Sequence, residues 1–576
     1  MGSAAGGCGG GCSLRSSVLS VARGFVALLF GLLLSAAAVA VAVETPEPAG
    51  SVPVRAPEIG GVEDLVVRSA MLERERRWAD VVAMCEAAAR KGVLAPELQQ
   101  RYDLAKIHCD LARRHCEKSF RSQLAKLTEA DARRLYAEVL GRIGSHHVDP
   151  PNHARLVARG CRTMDVAVED PTFVSLYVPH ATPERLAAYR DQVARITAGR
   201  TIASPVDAET LAAWVARAGH ATLGIMPAVT LMEMTAAAVG GLDEYSAFLT
   251  NGQLDDLYAQ IEGNFVGLGV ELKSADDGLL VVHVIPGSPA ERSGIRAGDH
   301  LVGIGGRPIG GMNVDEAAQL LQGPEGSLVT LAIVRAPAPA RAVSVRREHV
   351  EVPSVENVRM LDPAAGIGYF KIASFQKTTA TDVEAALRRL DVAGMRSLVV
   401  DLRGNPGGLL SAAVDVSDLF LERGLVVATR GRSPEEDFNY SASRPGTWRM
   451  PLVVLVDGES ASSSEIFAGA MRDHGRATLV GSRTYGKGSI QGIFPLEVGG
   501  VGMRLTTAKF FSPKGLPYSR VGVEPDVQVQ SVAKPALGVF VAQAGDPCLD
   551  AAIDVATRVT APRPAARPVA RGTVSR

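Results

Sequence analysis

Residues 350 to 530 alternate between short apolar runs and longer segments whose apolar residues recur at helical spacing. Three of the runs are SLVVDL (397–402), PLVVLV (451–456) and ATLVG (477–481), and a helix-like segment lies between each run and the next. This alternation indicates βαβ units around a largely parallel sheet. We therefore predict an α/β domain over residues 350–530.

The other segments of the chain have different patterns of apolar residues, glycine and proline from this domain. Residues 262–336 place glycine-rich loops between short apolar runs, which predicts a small β-rich domain with two short helices. Residues 62–255 have helical periodicity and predict a helical N-terminal region, after a Pro/Gly linker at 44–61. Residues 533–576 end without periodicity, and we expect a mostly disordered tail. The predicted fold class is multidomain, with α and α/β parts.

Residues 1–43 have the features of an export signal. Arg15 and Arg23 occur without any acidic residue and are followed, from residue 24, by the apolar run GFVALLFGLLLSAAAVAVAV with A-x-A sites at its end. The run is also about long enough to span a bilayer, so an uncleaved membrane anchor is the alternative. Either way we expect an exported protein, periplasmic or anchored to the outer face of the cytoplasmic membrane.

Charge and cysteine content exclude some classes of protein. The chain has 61 Lys and Arg against 62 Asp and Glu, so no basic surplus indicates a nucleic-acid partner. The five cysteines beyond the export segment are an odd number, which leaves at least one unpaired or intermolecular. Cys109 and Cys116 would lie about 10 Å apart on one helix, too far for a disulfide. Separate helical cysteines are favoured over a metal site.

The segment GESASSSEIFAGAMRDHG (458–475) raises the question of whether one of its serines is catalytic. Ser462 and Glu465 match the S-x-x-E pattern of a capping box, which requires no chemistry. However, the loops after three parallel strands emerge at one carboxyl edge of the sheet, where open α/β folds place their sites. Ser462 would stand there at a helix N-terminus, which favours developing negative charge.

A serine hydroxyl needs a base to take its proton, and Lys487 is positioned to arrive on the neighbouring loop. It has glycine on both sides in YGKGSIQ (485–491), which lets the backbone pack closely. Burial among apolar neighbours would lower the lysine pKa and give a neutral base near pH 7. Serine with lysine is a known variant of the serine–histidine arrangement. The alternative interpretation of Lys487 is a solvated surface lysine.

Two rival chemistries fit the same segment less well. GSRTYGK (481–487) matches the first part of a phosphate-binding loop, but Gly488 replaces the Ser or Thr that holds magnesium and a strand-like run follows. His474 and Asp473 could complete a serine–histidine–aspartate set. They close the same helix that Ser462 begins, however, roughly 18 Å away by helix rise.

Five groups of residues occur in an order that resembles a known family. They are GGLDEYSAFLT (240–250), NFVGLGVEL (264–272) with VIPGSPAERSGIRAGDHLVGIGG (284–306), VVDLRGNPGG (399–408), the serine and lysine segment (460–491) and GVEPDV (522–527). Together they resemble the carboxyl-terminal processing peptidases, also called tail-specific proteases. These are exported S41-type serine proteases with a PDZ domain and a serine–lysine pair. The likeness covers about residues 230–530.

The resemblance implies roles for particular residues. Ser462 would be the nucleophile, Lys487 the general base and Gln491 the residue that orients the lysine. The backbone N–H groups of Gly408 and Ser463 would bind the oxyanion. The family often has alanine where this chain has Ser463. The serine leaves a backbone donor unchanged but adds a hydroxyl next to Ser462, so Ser463 is the alternative nucleophile.

The resemblance also implies how a substrate is held. A PDZ domain binds an extended C-terminus by strand addition, and the backbone of Gly267, Leu268, Gly269 and Val270 would bind its carboxylate. The expected function is an exported serine endopeptidase that cleaves protein or peptide substrates near their C-termini, with the PDZ domain recognising or gating the tail.

The alternatives are an inactive PDZ scaffold and a protease that uses histidine as its base. No metal or organic cofactor is implied. The helical region is a candidate for homo-oligomer or adaptor contacts.

Overall fold

The computed structural model describes residues 27–28, 62–90, 95–275, 278–310, 314–321, 323–335, 337–529 and 545–560. The predicted linker, and all of the predicted export segment except a two-residue strand β1 (Ala27–Leu28), lie outside the described residues. Within the described residues, no helix has the length and apolarity needed to cross a membrane.

The helical region is built mainly from helices, many of which begin at a capping side chain or a proline. Ser204, for example, forms a capping box with Asp207 at the start of one of them. The elements are α1 (Val62–Arg74), α2 (Trp78–Arg90), α3 (Pro96–Cys116), α4 (Lys118–Leu124), α5 (Glu129–His146), α6 (His153–Ala167), α7 (Pro171–Tyr177), α8 (Pro183–Thr197), α9 (Pro205–Leu223), α10 (Pro227–Gly240), β2 (Ala247–Leu249) and α11 (Asn251–Glu262). The five cysteines of the described residues are free thiols.

The β-rich domain is a five-strand path with a short strand at its side. Its elements are β3 (Asn264–Gly267), β4 (Val270–Ala275), β5 (Gly278–Val284), α12 (Pro289–Arg292), β6 (His300–Ile304), β7 (Arg307–Pro308), α13 (Val314–Leu321), β8 (Leu328–Val334), β9 (Arg341–Arg346) and β10 (Glu348–Glu351). The strand order is β4-β5-β6-β8-β9, with β7 beside β6. Strand β9 lies beyond residue 336, where we placed the end of the domain. Exposed arginines begin and end this strand and only Val343 and Val345 in it are buried, so it has no continuous apolar run.

A separate two-stranded ribbon joins the β-rich domain to the rest of the chain. Strand β3 enters the domain and β10 leaves it, and the two pair antiparallel with Glu351 opposite Asn264. At the base of the ribbon the Val352 N–H donates to the Gly263 carbonyl at 2.8 Å. Both chain connections of the domain therefore run side by side.

The α/β domain carries two sheets. Its elements are β11 (Val355–Asp362), β12 (Ile367–Ile372), α14 (Thr379–Val392), β13 (Ser397–Asp401), α15 (Leu410–Asp418), β14 (Gly424–Gly431), a 3₁₀ turn (Pro434–Glu436), β15 (Phe438–Ala442), β16 (Leu452–Val456), α16 (Ser463–Asp473), β17 (Ala477–Gly481), β18 (Ser489–Pro495), β19 (Gly502–Phe511), β20 (Val527–Gln528) and α17 (Pro547–Thr560). The main sheet has the order β11-β12-β13-β16-β17-β20 and is parallel except for β11.

The three apolar runs that define the prediction are neighbours in this sheet. Strands β13, β16 and β17 are parallel, with Val399 opposite Val453 and Val454 opposite Leu479. The loops that follow them therefore emerge at one edge, as predicted. The second sheet has the order β1-β18-β19-β14-β15, with β2 also paired to β19. Side chains of β18 and β19, among them Phe494 and Met503, pack in the core of the helical region.

Helix α17 lies within residues 533–576, for which we predict a mostly disordered tail, and it is an ordered element that the prediction does not include. Alternate side chains of the parallel strands point to opposite faces of the main sheet. One set packs on α14, α15 and α16, and the other set, including Val399 and Leu455, packs on Leu549 and Ala552 of α17. Both faces of the sheet are apolar, so the second face needs the cover that α17 supplies. Residues 561–576 lie outside the described part of the chain.

A partly buried arginine, Arg403, connects α17 to the edge of the sheet. Arg403 donates to both carboxylate oxygens of Asp401 at the end of β13, and its Nη1 donates to both oxygens of Asp546, at 3.0 and 2.9 Å. Asp546 also accepts the N–H groups of Cys548 and Leu549, both at 3.1 Å, in the first turn of α17. The charge of Asp546 thus holds the start of the helix against the loop after β13.

We expect Asp546→Asn to lower the free energy of unfolding by about 1–3 kcal/mol. Breaking a buried ion pair usually costs more, but the Asp546 side chain keeps 25% of its surface exposed. Asp554→Asn, an exposed carboxylate on the same helix, is the matched control and should change little. Urea unfolding checks this, and equal midpoints for the two variants would contradict it.

Candidate active site

Ser462 lies at the turn between β16 and α16 in a strained backbone conformation. Its φ is 58° and its ψ is −116°, a region that residues other than glycine rarely adopt. The side chain is completely buried, and its Oγ has no hydrogen-bond partner among the described residues. Strain of this kind persists only where the surroundings enforce it, and it concentrates at functional sites.

The carboxylate of Glu465 joins the serine turn to the lysine loop. Its Oε2 accepts the N–H of Ser462 at 2.8 Å, as a capping box requires, and also the N–H of Lys487 at 2.9 Å. Its Oε1 accepts the N–H of Gly486 at 2.7 Å and the hydroxyl of Thr484 at 2.6 Å. Burial raises the pKa of Glu465 to about 7, although the four hydrogen bonds act in the opposite direction. One carboxylate therefore fixes both segments.

Lys487 is not a surface lysine, because only 3% of its surface is exposed. The flanking glycines allow its loop to pack against the segment after β19. A Cβ on Gly488 would lie 2.3 Å from the backbone nitrogen of Ser519, and Gly486 has a φ of 90°. The Gly486 carbonyl also accepts the N–H of Arg520 at 2.7 Å. Close backbone packing on both sides shields the lysine from solvent.

The electrostatic surroundings of Lys487 favour its neutral form. Burial lowers the pKa of the amine well below its ordinary value, and the positive charge of Arg504 acts in the same direction. Glu465, Glu244 and Asp243 oppose this shift with their negative charges. The net direction is the one that a general base requires.

The two predicted oxyanion donors lie on loops that touch. A Cβ on Gly407 would lie 2.7 Å from the Cβ of Ser462 and 2.9 Å from the backbone nitrogen of Ser463. A Cβ on Gly408 would lie 2.0 Å from the Phe375 carbonyl oxygen, so only glycine fits there. Within the described chain, neither the Gly408 N–H nor the Ser463 N–H donates to a protein acceptor. Both remain available for a developing negative charge.

The hydroxyl groups of the other serines in the cluster are already engaged. Ser460 donates to the Leu402 carbonyl at 2.9 Å, and Ser464 donates to the Asn405 carbonyl at 3.0 Å. Ser463 donates to the carbonyl of Gly408 at 2.9 Å. These bonds hold the serine turn against the loop after β13. They leave Ser462 as the serine of residues 460–464 whose hydroxyl has no partner.

Gln491 makes contacts other than the expected one. Its Nε2 donates to the Ser489 carbonyl at 3.2 Å and to the Ser489 hydroxyl at 2.9 Å, and its buried Oε1 accepts no hydrogen bond. The face of the Tyr245 ring lies beside the lysine, with Nζ of Lys487 4.9 Å from the ring centroid. Sequence reasoning singled out the segment that contains Tyr245 but gave that residue no role.

The rival sites predicted from the sequence are not assembled. His474 hydrogen-bonds to the Leu425 carbonyl at 2.7 Å, and Asp473 accepts the hydroxyl of Ser512 at 2.6 Å. Both residues lie at the opposite end of α16 from Ser462. The run after GSRTYGK is strand β18, not the helix that a phosphate-binding loop precedes. The described residues hold no group of three or more His, Cys, Asp or Glu placed to bind a metal ion.

The predicted carboxylate-binding loop lies between β3 and β4. The carbonyl of Leu268 accepts the Ala290 N–H at 2.9 Å, and that of Gly269 accepts the Ile285 N–H at 2.9 Å. Gly269 has a φ of 80°, and a Cβ there would lie 2.3 Å from the Cβ of Ser288. The loop carbonyls therefore point into the domain, and β4 runs beside α13, as a strand-addition groove requires.

Comparison with protein families identifies both domains. The model of peptidase family S41 matches residues 366–529, and a PDZ domain model matches residues 280–335.

The chain is similar to two bacterial relatives. It is 36% identical over 295 residues to the carboxy-terminal-processing protease of Bartonella bacilliformis, covering 50% of this chain and 67% of that protein. It is 32% identical over 315 residues to a probable CtpA-like serine protease of Staphylococcus aureus, covering 54% of this chain and 62% of that one. The chain thus spans about two thirds of the length of these relatives. Among solved structures, the photosystem II D1 C-terminal processing protease is 26% identical with a TM-score of 0.37, over 69% of this chain and 93% of that one.

We expect Glu465→Gln to lower the free energy of unfolding by about 2–4 kcal/mol. An amide nitrogen cannot accept hydrogen bonds, so two of the four buried donors lose their acceptor. Glu435→Gln, at an exposed carboxylate in the same domain, is the control and should change little. Denaturant unfolding checks this, and a variant as stable as the wild type would show that the carboxylate does not hold the two segments.

Proposed function

Because this chain belongs to the carboxy-terminal-processing proteases of peptidase family S41, we propose that Ser462 is the nucleophile and Lys487 the general base of an exported endopeptidase. The chain is a serine-type peptidase with a PDZ domain, and it cleaves near the C-termini of its substrates. The observation that carries the residue assignment is the Glu465 carboxylate, which binds the backbone of both Ser462 and Lys487.

The proposed reaction begins when Ser462 attacks a peptide carbonyl. As the Oγ–C bond forms, Lys487 takes the hydroxyl proton and the carbonyl electrons move to oxygen, where the N–H groups of Gly408 and Ser463 bind the oxyanion. The C–N bond then breaks, and the proton passes from Lys487 to the leaving amine. Water, with Lys487 again as base, hydrolyses the acyl-enzyme and restores Ser462.

The PDZ domain binds peptide, and we propose that the peptide it binds is the C-terminal tail of the substrate. The tail adds as a strand beside β4, in the groove between β4 and α13. Its terminal carboxylate accepts hydrogen bonds from backbone N–H groups of residues 267–270. Capture of the end of a chain explains why cleavage falls near that end. We further propose that residues 1–43 direct export of the enzyme, which is then released or anchored, and that the helical region contacts a second copy or an adaptor.

Ser462→Ala and Lys487→Ala should each lower the cleavage rate by at least about 10³-fold, since each removes a group that acts in the chemical step. The substrate is an unfolded protein with an apolar C-terminal tail, and mass spectrometry reads the fragments. Binding of the tail should persist in both variants. Cleavage that survives Lys487→Ala would mean that another residue is the base. A wild type that binds the tail without cleaving it would be a scaffold.

Ser463→Ala should keep most of the activity, with the rate lowered about 2- to 10-fold. Its backbone N–H remains, but the hydrogen bond that steadies Gly408 is lost. The same fragment assay measures this, beside Ser464→Ala, a buried serine whose hydroxyl donates to the Asn405 carbonyl. Loss of activity as complete as in Ser462→Ala would assign the nucleophile to Ser463.

A further inference from the structure

Tyr245 is a side chain in contact with the proposed base that the mechanism above does not use. The Nζ of Lys487 stands 4.9 Å from the centroid of its ring, over the ring face. Tyr245 belongs to the turn of residues 243–246, between α10 and β2. Most of this tyrosine is shielded from solvent, and burial raises the pKa of its hydroxyl, so the ring stays neutral.

Hydrogen bonds within the turn fix the backbone that carries this ring. Oδ1 of Asp243 accepts the N–H groups of Tyr245 at 2.7 Å and Ser246 at 2.8 Å. Oδ2 of Asp243 accepts the hydroxyl of Ser246 at 2.7 Å. Three hydrogen bonds to one carboxylate leave the turn little conformational freedom. The Asp243 pKa is about 2, because these bonds and that of His147 outweigh burial.

The turn is also fastened from outside by two elements. His147, just after α5, hydrogen-bonds through Nε2 to Oδ2 of Asp243 at 2.8 Å. From β19, the Thr506 hydroxyl donates to Asp243 at 3.1 Å, and Nε of Arg504 donates to the Tyr245 carbonyl at 3.0 Å. Strand β19 pairs with β18, which begins two residues after Lys487. The ring and the lysine loop are therefore held by the same sheet.

An aromatic face suits a base that must start neutral and finish charged. The face carries negative potential but no net charge, so it attracts an ammonium group without the full field of a carboxylate. Five ionisable groups influence the amine: Arg504 on β19, Glu465 on α16, and Asp243, Glu244 and Tyr245 on the turn. Of these, Tyr245 presents its ring face to the amine, with the centroid 4.9 Å from Nζ.

We propose that Tyr245 is a positioning residue for Lys487, whose ring face orients the amine and stabilises the ammonium formed as Ser462 gives up its proton. The proposal rests on the assignment of Lys487 as the base. It gives Tyr245 an orienting role of the kind that the resemblance implies for Gln491. It also gives the turn of residues 243–246 a function, since the turn sets the position of the ring.

The test compares Tyr245→Leu with Tyr245→Phe in the full chain. The leucine variant removes the ring and should lower kcat roughly 3- to 30-fold with little change in KM. Loss of the ring also removes stabilisation of the ammonium, which lowers the pKa of Lys487. The acidic limb of the kcat/KM profile, which reports the base of the free enzyme, should therefore move to lower pH. The phenylalanine variant keeps the ring and should match the wild type in both respects.

Tyr258→Leu is the control for loss of a tyrosine, because Tyr258 is 39% exposed on α11. It should leave both the rate and the pH profile unchanged. A lower kcat in Tyr245→Leu with an unmoved acidic limb, or a limb moved to higher pH, would reduce Tyr245 to a structural role and overturn the proposal. So would a phenylalanine variant as impaired as the leucine variant.

Lys487→Ala separates this inference from the proposed function. If that variant is inactive while Tyr245→Leu behaves as the wild type, the serine–lysine assignment stands and only the role of Tyr245 fails. If Lys487→Ala remains active, the assignment of the base fails, and the role of Tyr245 fails with it. Thermal unfolding of each variant, with the midpoint kept above the assay temperature, ensures that the rates compare folded enzymes.

Discussion

The active site depends on one buried carboxylate. Glu465 accepts four buried hydrogen bonds, one from Ser462 and three from residues 484–487, and residues 463–483 separate the two sets of donors in the sequence. The positive φ of Ser462 is tolerable only because its neighbours are fixed in this way. The glycines on the facing loops then allow backbone to approach backbone, so that strain at the serine and burial of the lysine arise from the same packing.

The sequence predicted those parts of the fold and the site that follow directly from a local pattern of residues. The apolar runs 397–402, 451–456 and 477–481 specify parallel strands, and a parallel sheet brings the loops after them to one edge. The parallel sheet therefore predicts that Ser462 and Lys487 lie close together. Helix α17 was missed because a Pro- and Arg-rich composition dominates the end of the chain. The apolar side of this helix has a packing partner only in the second apolar face of the sheet, which the sequence does not show.

Contacts made by side chains across long sequence separations were beyond sequence reasoning. Lys487 and Tyr245 are more than two hundred residues apart, and neither spacing nor composition indicates that they touch. The amide nitrogen of Gln491 likewise donates to Ser489, a contact that its place in the sequence does not indicate. Which partner a side chain contacts depends on its rotamer and on competition among neighbouring donors. Both depend on how the folded chain packs.

The ribbon of β3 and β10 gives the PDZ domain an unusual independence. Because the chain enters and leaves through adjacent antiparallel strands, the domain is an insertion on a single stem with its own core, and within the described residues it shares no strand with the catalytic sheets. An insertion of this form can be replaced by another domain, since it connects to the rest of the fold only through two neighbouring chain ends. Selectivity for the end of a substrate and the chemistry of bond cleavage are therefore separable in this architecture. A change of tail preference needs no change at the residues that break the peptide bond.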